Sequence, residues 1–201
     1  MTRVSALAAL AVLAMLAGCR SAPPPAAIPG PGAEAPWSEQ RPALEKLDRY
    51  ALNGKVAVAA NGQGFSASLR YLQQPGRAEL ALDGPLGIGG MRIALEENSL
   101  AVTNSRGEAL DGEAARAEIE HRLGFELPLD ELRWWLLGLP APGQSEIDAA
   151  PDSGEIRGFL QNGWRVTINT RAPGLGFSLP QRLTAERSGA RLKLFVERWQ
   201  P

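Results

Sequence analysis

The sequence predicts a mainly β domain of the α+β class: a long antiparallel meander interrupted by two helices, folded as a strongly curved sheet about a helical plug. Three observations carry this. Short segments of alternating polarity are joined by hairpin dipeptides, Asn61-Gly62, Asn162-Gly163 and Ser188-Gly189 among them. The alternation gives way to a helical period between Asp111 and Gly138 and then returns. Leu80, Leu82, Ile93 and Leu95 alternate with Glu79, Ala81, Arg92 and Ala94, so the sheet has one apolar face that needs a cover. At 201 residues, 44% of them hydrophobic, the chain has room for one ordinary domain plus appendages.

From the N-terminus, Arg3 supplies a positive start and an apolar run over 4–17 follows, broken only by Ser5. This run is shorter than the ~20 residues a spanning helix needs, so residues 1–18 are expected to be a secretory signal. It ends at Leu16-Ala17-Gly18-Cys19, which resembles the bacterial lipobox, and the resemblance implies cleavage before Cys19 and lipid attachment to it. Arg20 stands where an Asp would imply retention in the inner membrane, so the implied destination is the outer membrane. At ~0.8 kcal/mol per buried methylene, two chains already make release from a bilayer slow. Residues 19–36 are rich in Pro, Ala and Gly and read as an extended, poorly packed tether. The folded domain is expected over 37–201. It opens with a short helix carrying Trp37, Leu44, Leu47 and Tyr50, in which Pro42 must start a new helix or kink the first.

Strands are expected over 55–60, 65–72, 78–82, 91–95 and 100–104, with turns at Asn61-Gly62 and Gln74-Pro75-Gly76. Between the third and fourth lies Asp83-Gly84-Pro85-Leu86-Gly87-Ile88-Gly89-Gly90. Gly84-Pro85-Leu86-Gly87 fits a type I turn, because Pro presets φ at its second position and Gly closes its fourth. Leu86 then sits at the tip. Either Leu86 and Ile88 fold back onto their own sheet, or they form an exposed apolar finger that touches lipid or a partner. A nucleotide loop is a poor third, since the Gly-Lys-Ser/Thr ending is missing and the glycines do not open a helix.

Asp111 is expected to cap a helix with Ala114, Ala117, Ile119 and Leu123 mostly on one side, stopped by Gly124. A second helix follows Pro128, capped by Asp130, with Leu132, Trp135 and Leu136 on one face and Gly138 as its stop. Both are too apolar to stand alone and are the natural cover of the sheet. Strands resume over 155–161, 164–170, 182–187 and 191–199.

The composition excludes several functions. With a net charge of −1 and scattered Lys and Arg, no basic footprint for nucleic acid is present. One Cys and one His rule out a disulfide framework and any Cys/His zinc site, and no metal or other cofactor is expected. His121 lies among Glu118, Glu120 and Arg122 with no Gly-x-Ser-x-Gly motif or free nucleophilic cysteine, so it reads as a solvated helix residue and no catalytic residue is expected. The carboxylates of Glu96-Glu97 and Glu118/Glu120 fall on turns and helix surfaces, where charge serves solvation. The aromatic residues are mostly core, with Trp135 and Trp164 the first candidates to line a cavity.

In order, the lipobox, Pro85-Leu86-Gly87 after an apolar strand, Leu127-Pro128-Leu129, Leu132-Arg133-Trp134-Trp135-Leu136-Leu137-Gly138-Leu139-Pro140, Gln161-Asn162-Gly163-Trp164, Leu179-Pro180 and Trp199 resemble the LolB family, the outer-membrane receptor of the bacterial lipoprotein-localisation (Lol) system. One departure is Tyr71, where the family commonly has Trp before a Gln. The resemblance implies an unclosed antiparallel β-barrel with helices as a lid over a hydrophobic cavity, for which Tyr71, Leu80, Leu82, Ile93, Trp135 and Trp164 are the candidate acyl-chain residues. It implies a monomer, lipid-anchored and facing the periplasm, that takes acylated lipoproteins from a LolA-type carrier and inserts them into the inner leaflet of the outer membrane. Leu86, with Pro85, Gly87 and Ile88, holds the place of the family's protruding membrane-contacting loop, which favours its exposure. An acyl chain of about 15 methylenes disfavours water by ~12 kcal/mol, so cargo must pass from one apolar cavity to another. Without a nucleotide motif that passage is expected to run downhill in affinity. The rival reading is a lipid-tethered structural or envelope-assembly protein whose sheet binds a protein partner and no lipid. A histidine-dependent hydrolase comes third.

Overall fold

The computed structural model describes residues 30–84, 90–97 and 99–201. Helix α1 (Trp37–Glu45) leads into β1 (Tyr50–Ala60), β2 (Gln63–Gln74), β3 (Arg77–Asp83), β4 (Met91–Glu96), β5 (Ser99–Thr103) and β6 (Ala109–Asp111). Helices α2 (Gly112–Leu123) and α3 (Leu129–Leu136) follow, and then β7 (Glu146–Ala149), β8 (Ile156–Gln161), β9 (Trp164–Gly174), β10 (Phe177–Arg187) and β11 (Ala190–Gln200). All eleven strands form one antiparallel sheet in the order β6-β5-β4-β3-β2-β1-β11-β10-β9-β8-β7. Two meanders thus meet at a seam between β1 and β11, which runs from Ala51↔Gln200 to Ala60↔Ala190. The chain leaves the sheet at one edge, β6, and re-enters at the other, β7, so the sheet curves without closing.

The hairpins form where two-residue turns with left-handed backbone were expected: Asn61 and Gly62 have φ of 51° and 78°, and Asn162 and Gly163 have 50° and 76°. Inward side chains follow the period of two. Ala67, Leu69, Tyr71 and Gln73 are buried on β2, Leu80 and Leu82 on β3, and Met91 and Ile93 on β4.

Several elements differ from expectation for identifiable reasons. Strand β1 begins at Tyr50 and not near 55, because Asn53 and Gly54 form a register shift against β11 that a period-two reading takes for an interruption. At Gly54 a Cβ would meet the Phe195 carbonyl, which explains the glycine. Strand β10 begins at Phe177 and not near 182, since Pro180 sits beside the register shift with β9 and so leaves the ladder intact on either side. The short edge strands β6 and β7 carry little alternation, and all four residues of β7 are exposed.

Helix α1 continues through Pro42 and ends at Glu45, which leaves Leu47 and Tyr50 outside it, although both are buried. In α2 the buried line is Ala115, Ile119 and Leu123, at intervals of one turn, while Ala114 and Ala117 face solvent. Asp111 occupies the N-cap position without a side-chain cap bond, and Gly124 ends the helix in the left-handed conformation as expected. Asp130 is not a cap: α3 starts one residue earlier behind Pro128, and Asp130 lies in its first turn, where a carboxylate favours the helix dipole.

The end of the tether region is docked. Gly30 N donates to Leu175 O at 3.3 Å and Gly32 N to Gly176 O at 2.9 Å, so the segment entering α1 lies against the β9–β10 turn. Gln40 fastens it from α1, donating to Ala35 O at 2.6 Å and accepting from Ser178 N at 2.7 Å.

Candidate functional site

Helices α2 and α3 lie on the concave face of the sheet, and between them and the strands is an apolar cavity of about 80 Å³. Its sheet wall comes from the seam and its neighbours: Val56 and Val58 on β1, Leu69 on β2, Leu80 and Leu82 on β3, Leu183 and Ala185 on β10, and Leu192 and Leu194 on β11. Its other wall is Leu123 and Leu127 at and beyond the end of α2, with Leu132, Trp135 and Leu136 of α3. Every lining side chain is apolar.

Of the candidate residues, Leu80, Leu82 and Trp135 line this cavity. The other three candidates are buried but lie outside the wall. Ile93 is the cross-strand partner of Leu80 and packs one strand further out. Tyr71 faces Leu80 from β2, and its hydroxyl donates to Gln73 Oε1 at 2.5 Å. Trp164 is 1% exposed, wedged edge-on between Phe125 at 5.4 Å and Trp135 at 6.2 Å, with the Arg187 guanidinium over its ring. It is packing under the cavity floor. The missed residues on β1, β2, β10 and β11 share the inward parity of their strands, which is a legible signal, but parity does not say which inward residues front a void. Cys19 and the loop residues Pro85, Leu86, Gly87 and Ile88 lie outside the described residues. The strands that lead to the loop are in register up to Leu82↔Met91, and Asp83 is held by Arg70 at 2.6 Å.

Helix α3 is tied to both meanders. On the β1 side, Tyr50 Oη donates to Arg133 O at 2.7 Å and Arg133 Nη2 donates to Leu47 O at 3.1 Å. On the β8 side, Trp135 Nε1 donates to Gln161 Oε1 at 3.0 Å, and Gln161 also bridges to both backbone groups of Ala141. Glu131 accepts from Asn162 Nδ2 as well. At Gly138 a Cβ would come within 2.9 Å of Pro180, so only glycine lets the end of α3 approach β10 this closely. Helix α2 is tied at its C-terminal end and flank, where Asn61 Nδ2 donates to Gly124 O at 3.1 Å and Arg122 to Ser105 Oγ at 3.2 Å. Burial pushes the Tyr50 and Tyr71 phenols well above their ordinary value, which keeps both neutral donors.

The family model described as "Outer membrane lipoprotein LolB" matches residues 48–199, which takes in both covering helices and the whole of the sheet except Gln200 at the end of β11. The chain belongs to the LolB family. It is 32% identical to the outer-membrane lipoprotein LolB of Pseudomonas paraeruginosa over 99% of its own length and 97% of that protein's. It is 30% identical to the LolB of Stutzerimonas stutzeri, over 93% and 91%. Among solved structures, a DUF1329 family protein from Desulfovibrio piger shares the fold at a TM-score of 0.51 and 9% identity, covering 79% of this chain and 88% of that one. A LolA superfamily protein from Nitrosomonas europaea matches at a TM-score of 0.49 and 12% identity, over 76% and 86%. As a LolB protein the chain is an outer-membrane lipoprotein that acts as a receptor in lipoprotein localisation.

The packing separates the two tryptophans that the sequence could not. Trp164→Ala is expected to lower stability by ~3–5 kcal/mol in chemical denaturation, as for a large buried aromatic. An unchanged midpoint would remove Trp164 from the core.

Proposed function

We propose that the cavity under α2 and α3 is where this LolB protein takes the acyl chains of a lipoprotein handed over by a LolA-type carrier, before releasing them into the outer membrane. The observation that carries the reading is the wholly apolar lining, shared between the sheet and two covering helices. In this reading Cys19 is lipidated, residues 19–36 are the tether, its last residues docked on the β9–β10 turn, the domain works as a monomer, and no step is catalytic. The exposed large apolar residues among those described, Phe65, Leu72 and Ile147, are divided between β2 and β7, which gives little support to a scaffold that binds protein through its sheet.

The volume dictates a mechanism. A cavity of ~150 Å³ holds benzene, whereas this one measures about 80 Å³, so no acyl chain enters until the walls separate. The sheet wall is bound by the seam ladder over its whole length. The covering helices must therefore move. Because α3 is hydrogen-bonded to both meanders and α2 packs chiefly on the edge strands β5 and β6, the movement proposed is of α2 with that edge, exposing Leu123 and Leu127 as the first surface an incoming chain meets. Closure over an empty site recovers apolar contact at ~25 cal/mol per Å², which favours release once the chain has a bilayer to enter. The loop at Pro85, Leu86, Gly87 and Ile88 is proposed as the part that meets this bilayer.

Two variants test the reading. Ala185 is 2% exposed and lines the cavity, so Ala185→Leu fills it; the melting temperature is expected to hold or rise while displacement of a hydrophobic dye by acyl ligands is lost. Full dye binding in a stable Ala185→Leu protein would place the lipid site elsewhere. Leu86→Glu is expected to change stability by ~0.5 kcal/mol or less. It should load from the carrier normally but pass cargo to liposomes slowly, since a carboxylate near hydrocarbon is opposed by desolvation. Normal rates in both stages would remove the loop from delivery.

A further inference from the structure

The outer face of the sheet, turned away from the helices, carries an open groove of about 540 Å³ that the acyl-binding reading does not use. Alternate residues of β1–β5 point outward, and the register sets them in rows across the strands. One row runs Asn53↔Arg70, Arg70↔Ala81, Ala81↔Arg92 and Arg92↔Thr103, so two arginines of the groove flank an alanine. They stand two strands apart, roughly 10 Å, which lets both guanidinium groups reach one anion above Ala81. The row lies at the end of the strands from which the 84–90 segment departs, since the β3–β4 ladder stops at Leu82↔Met91.

The arginines of the groove are not alike. Arg77, at the far end of β3, is held by Glu79 at 2.7 Å and by Glu96 at 2.9 Å. Arg70 is held by Asp83 at 2.6 Å. Arg92 is exposed and has no carboxylate within ion-pair distance among the described residues, because Asp83, diagonal to it in the ladder, is taken by Arg70. This end of the groove therefore holds two guanidinium groups and one carboxylate. The inner face at the same end finishes in Phe65, on the part of β2 that runs past the Ser68↔Asp83 pair. Phe65 is 40% exposed, although Val58 across the ladder is buried and fronts the cavity. One end of the sheet is thus apolar inside and cationic outside.

Resting on the reading that the loop at Pro85, Leu86, Gly87 and Ile88 meets the bilayer, we infer that this end of the sheet is a docking edge for anionic phospholipid: Arg92, with Arg70, takes the head-group phosphate, and Phe65 meets the border of the hydrocarbon. A guanidinium suits this partner, since its planar N–H groups pair with phosphate oxygens. The reach also fits. Seven residues, 84–90, running out and back carry a tip at most roughly 12 Å beyond the ends of β3 and β4. A head-group layer is about 5–8 Å deep, so a tip at the hydrocarbon border holds Arg92 level with the phosphates. Phe65 then stands between Val58 of the cavity wall and the lipid, on the path of a departing chain.

The test uses the full chain carrying Cys19→Ala and its binding to vesicles of phosphatidylcholine alone or mixed equally with phosphatidylglycerol, with circular dichroism as the folding control. The parent is expected to prefer the mixed vesicles, and added salt to remove the preference. Arg92→Ala should weaken binding to the mixed vesicles about fivefold, the factor for one basic side chain at an anionic bilayer surface, and leave phosphatidylcholine binding unchanged. Arg92→Lys should keep the preference, and Phe65→Ser should weaken binding to both kinds of vesicle. Arg77→Ala removes the same charge from the far end of the groove and should change neither; a loss equal to that of Arg92→Ala would reduce the effect to net charge and overturn the docking edge. Leu86→Glu separates this inference from the loop reading. If it weakens binding to both kinds of vesicle while Arg92→Ala has no effect, the loop reading stands and the phosphate contact is overturned. If Leu86→Glu binds phosphatidylcholine normally while Arg92→Ala loses the preference, the loop reading fails and the phosphate contact holds.

Discussion

The structure depends on one constraint: a sheet with a single apolar face must have that face covered by the same chain. The eleven strands divide into two meanders that meet at the β1–β11 seam, so the two free edges, β6 and β7, are adjacent in sequence but on opposite sides of the sheet. The segment between them has to cross the concave face. It crosses as two helices whose buried residues, Ala115, Ile119 and Leu123 on α2 and Leu129, Trp135 and Leu136 on α3, meet the inward side chains of the strands. Covering and connecting are therefore one task. A closed barrel would remove the edges; here they remain, and the crossing helices cover the face between them.

From that constraint the cavity follows. The seam strands front it with Val56, Val58, Leu192 and Leu194, flanked by Leu69, Leu80 and Leu82 on one side and Leu183 and Ala185 on the other. The lid is fastened unequally. Bonds from Tyr50, Gln161 and Asn162 bind α3 to strands or turns of both meanders, whereas α2 runs straight out of β6, packs on β5 and β6 and is hydrogen-bonded at Asn61 and Ser105, so it is tied to one edge of the sheet. A receptor that accepts and surrenders an acyl chain without a chemical energy source needs this kind of arrangement, in which one wall is fixed and the other yields at modest free energy.

Much of this was legible in the sequence. Asn61-Gly62 and Asn162-Gly163 announce hairpins because few other pairs tolerate two left-handed residues, and Leu80, Leu82 and Ile93 announce the inward face by their spacing. The order of family motifs announced the lid. What stayed hidden was set by tertiary context. The start of β10 ahead of Pro180 stays hidden until the register shift beside the proline is seen, and β7 has no alternation because both its faces are wet. The alanines of α2 carry too weak a signal to separate Ala115, fully buried, from Ala114 and Ala117. Nothing local to Arg133 says that its guanidinium turns toward Leu47. Trp164 and Trp135 are alike as residues and differ only in whether the space beside them is filled.

The account stands most directly on the claim that loading opens the lid on the α2 side. Amide hydrogen exchange of the protein, empty and saturated with a triacylated lipopeptide, measures this segment by segment. The account predicts faster exchange over Gly112–Leu123 on loading, with Leu129–Leu136 and the β1–β11 seam as protected as before. Unchanged exchange in α2 with a loaded cavity, or loss of protection in α3 in its place, would contradict it.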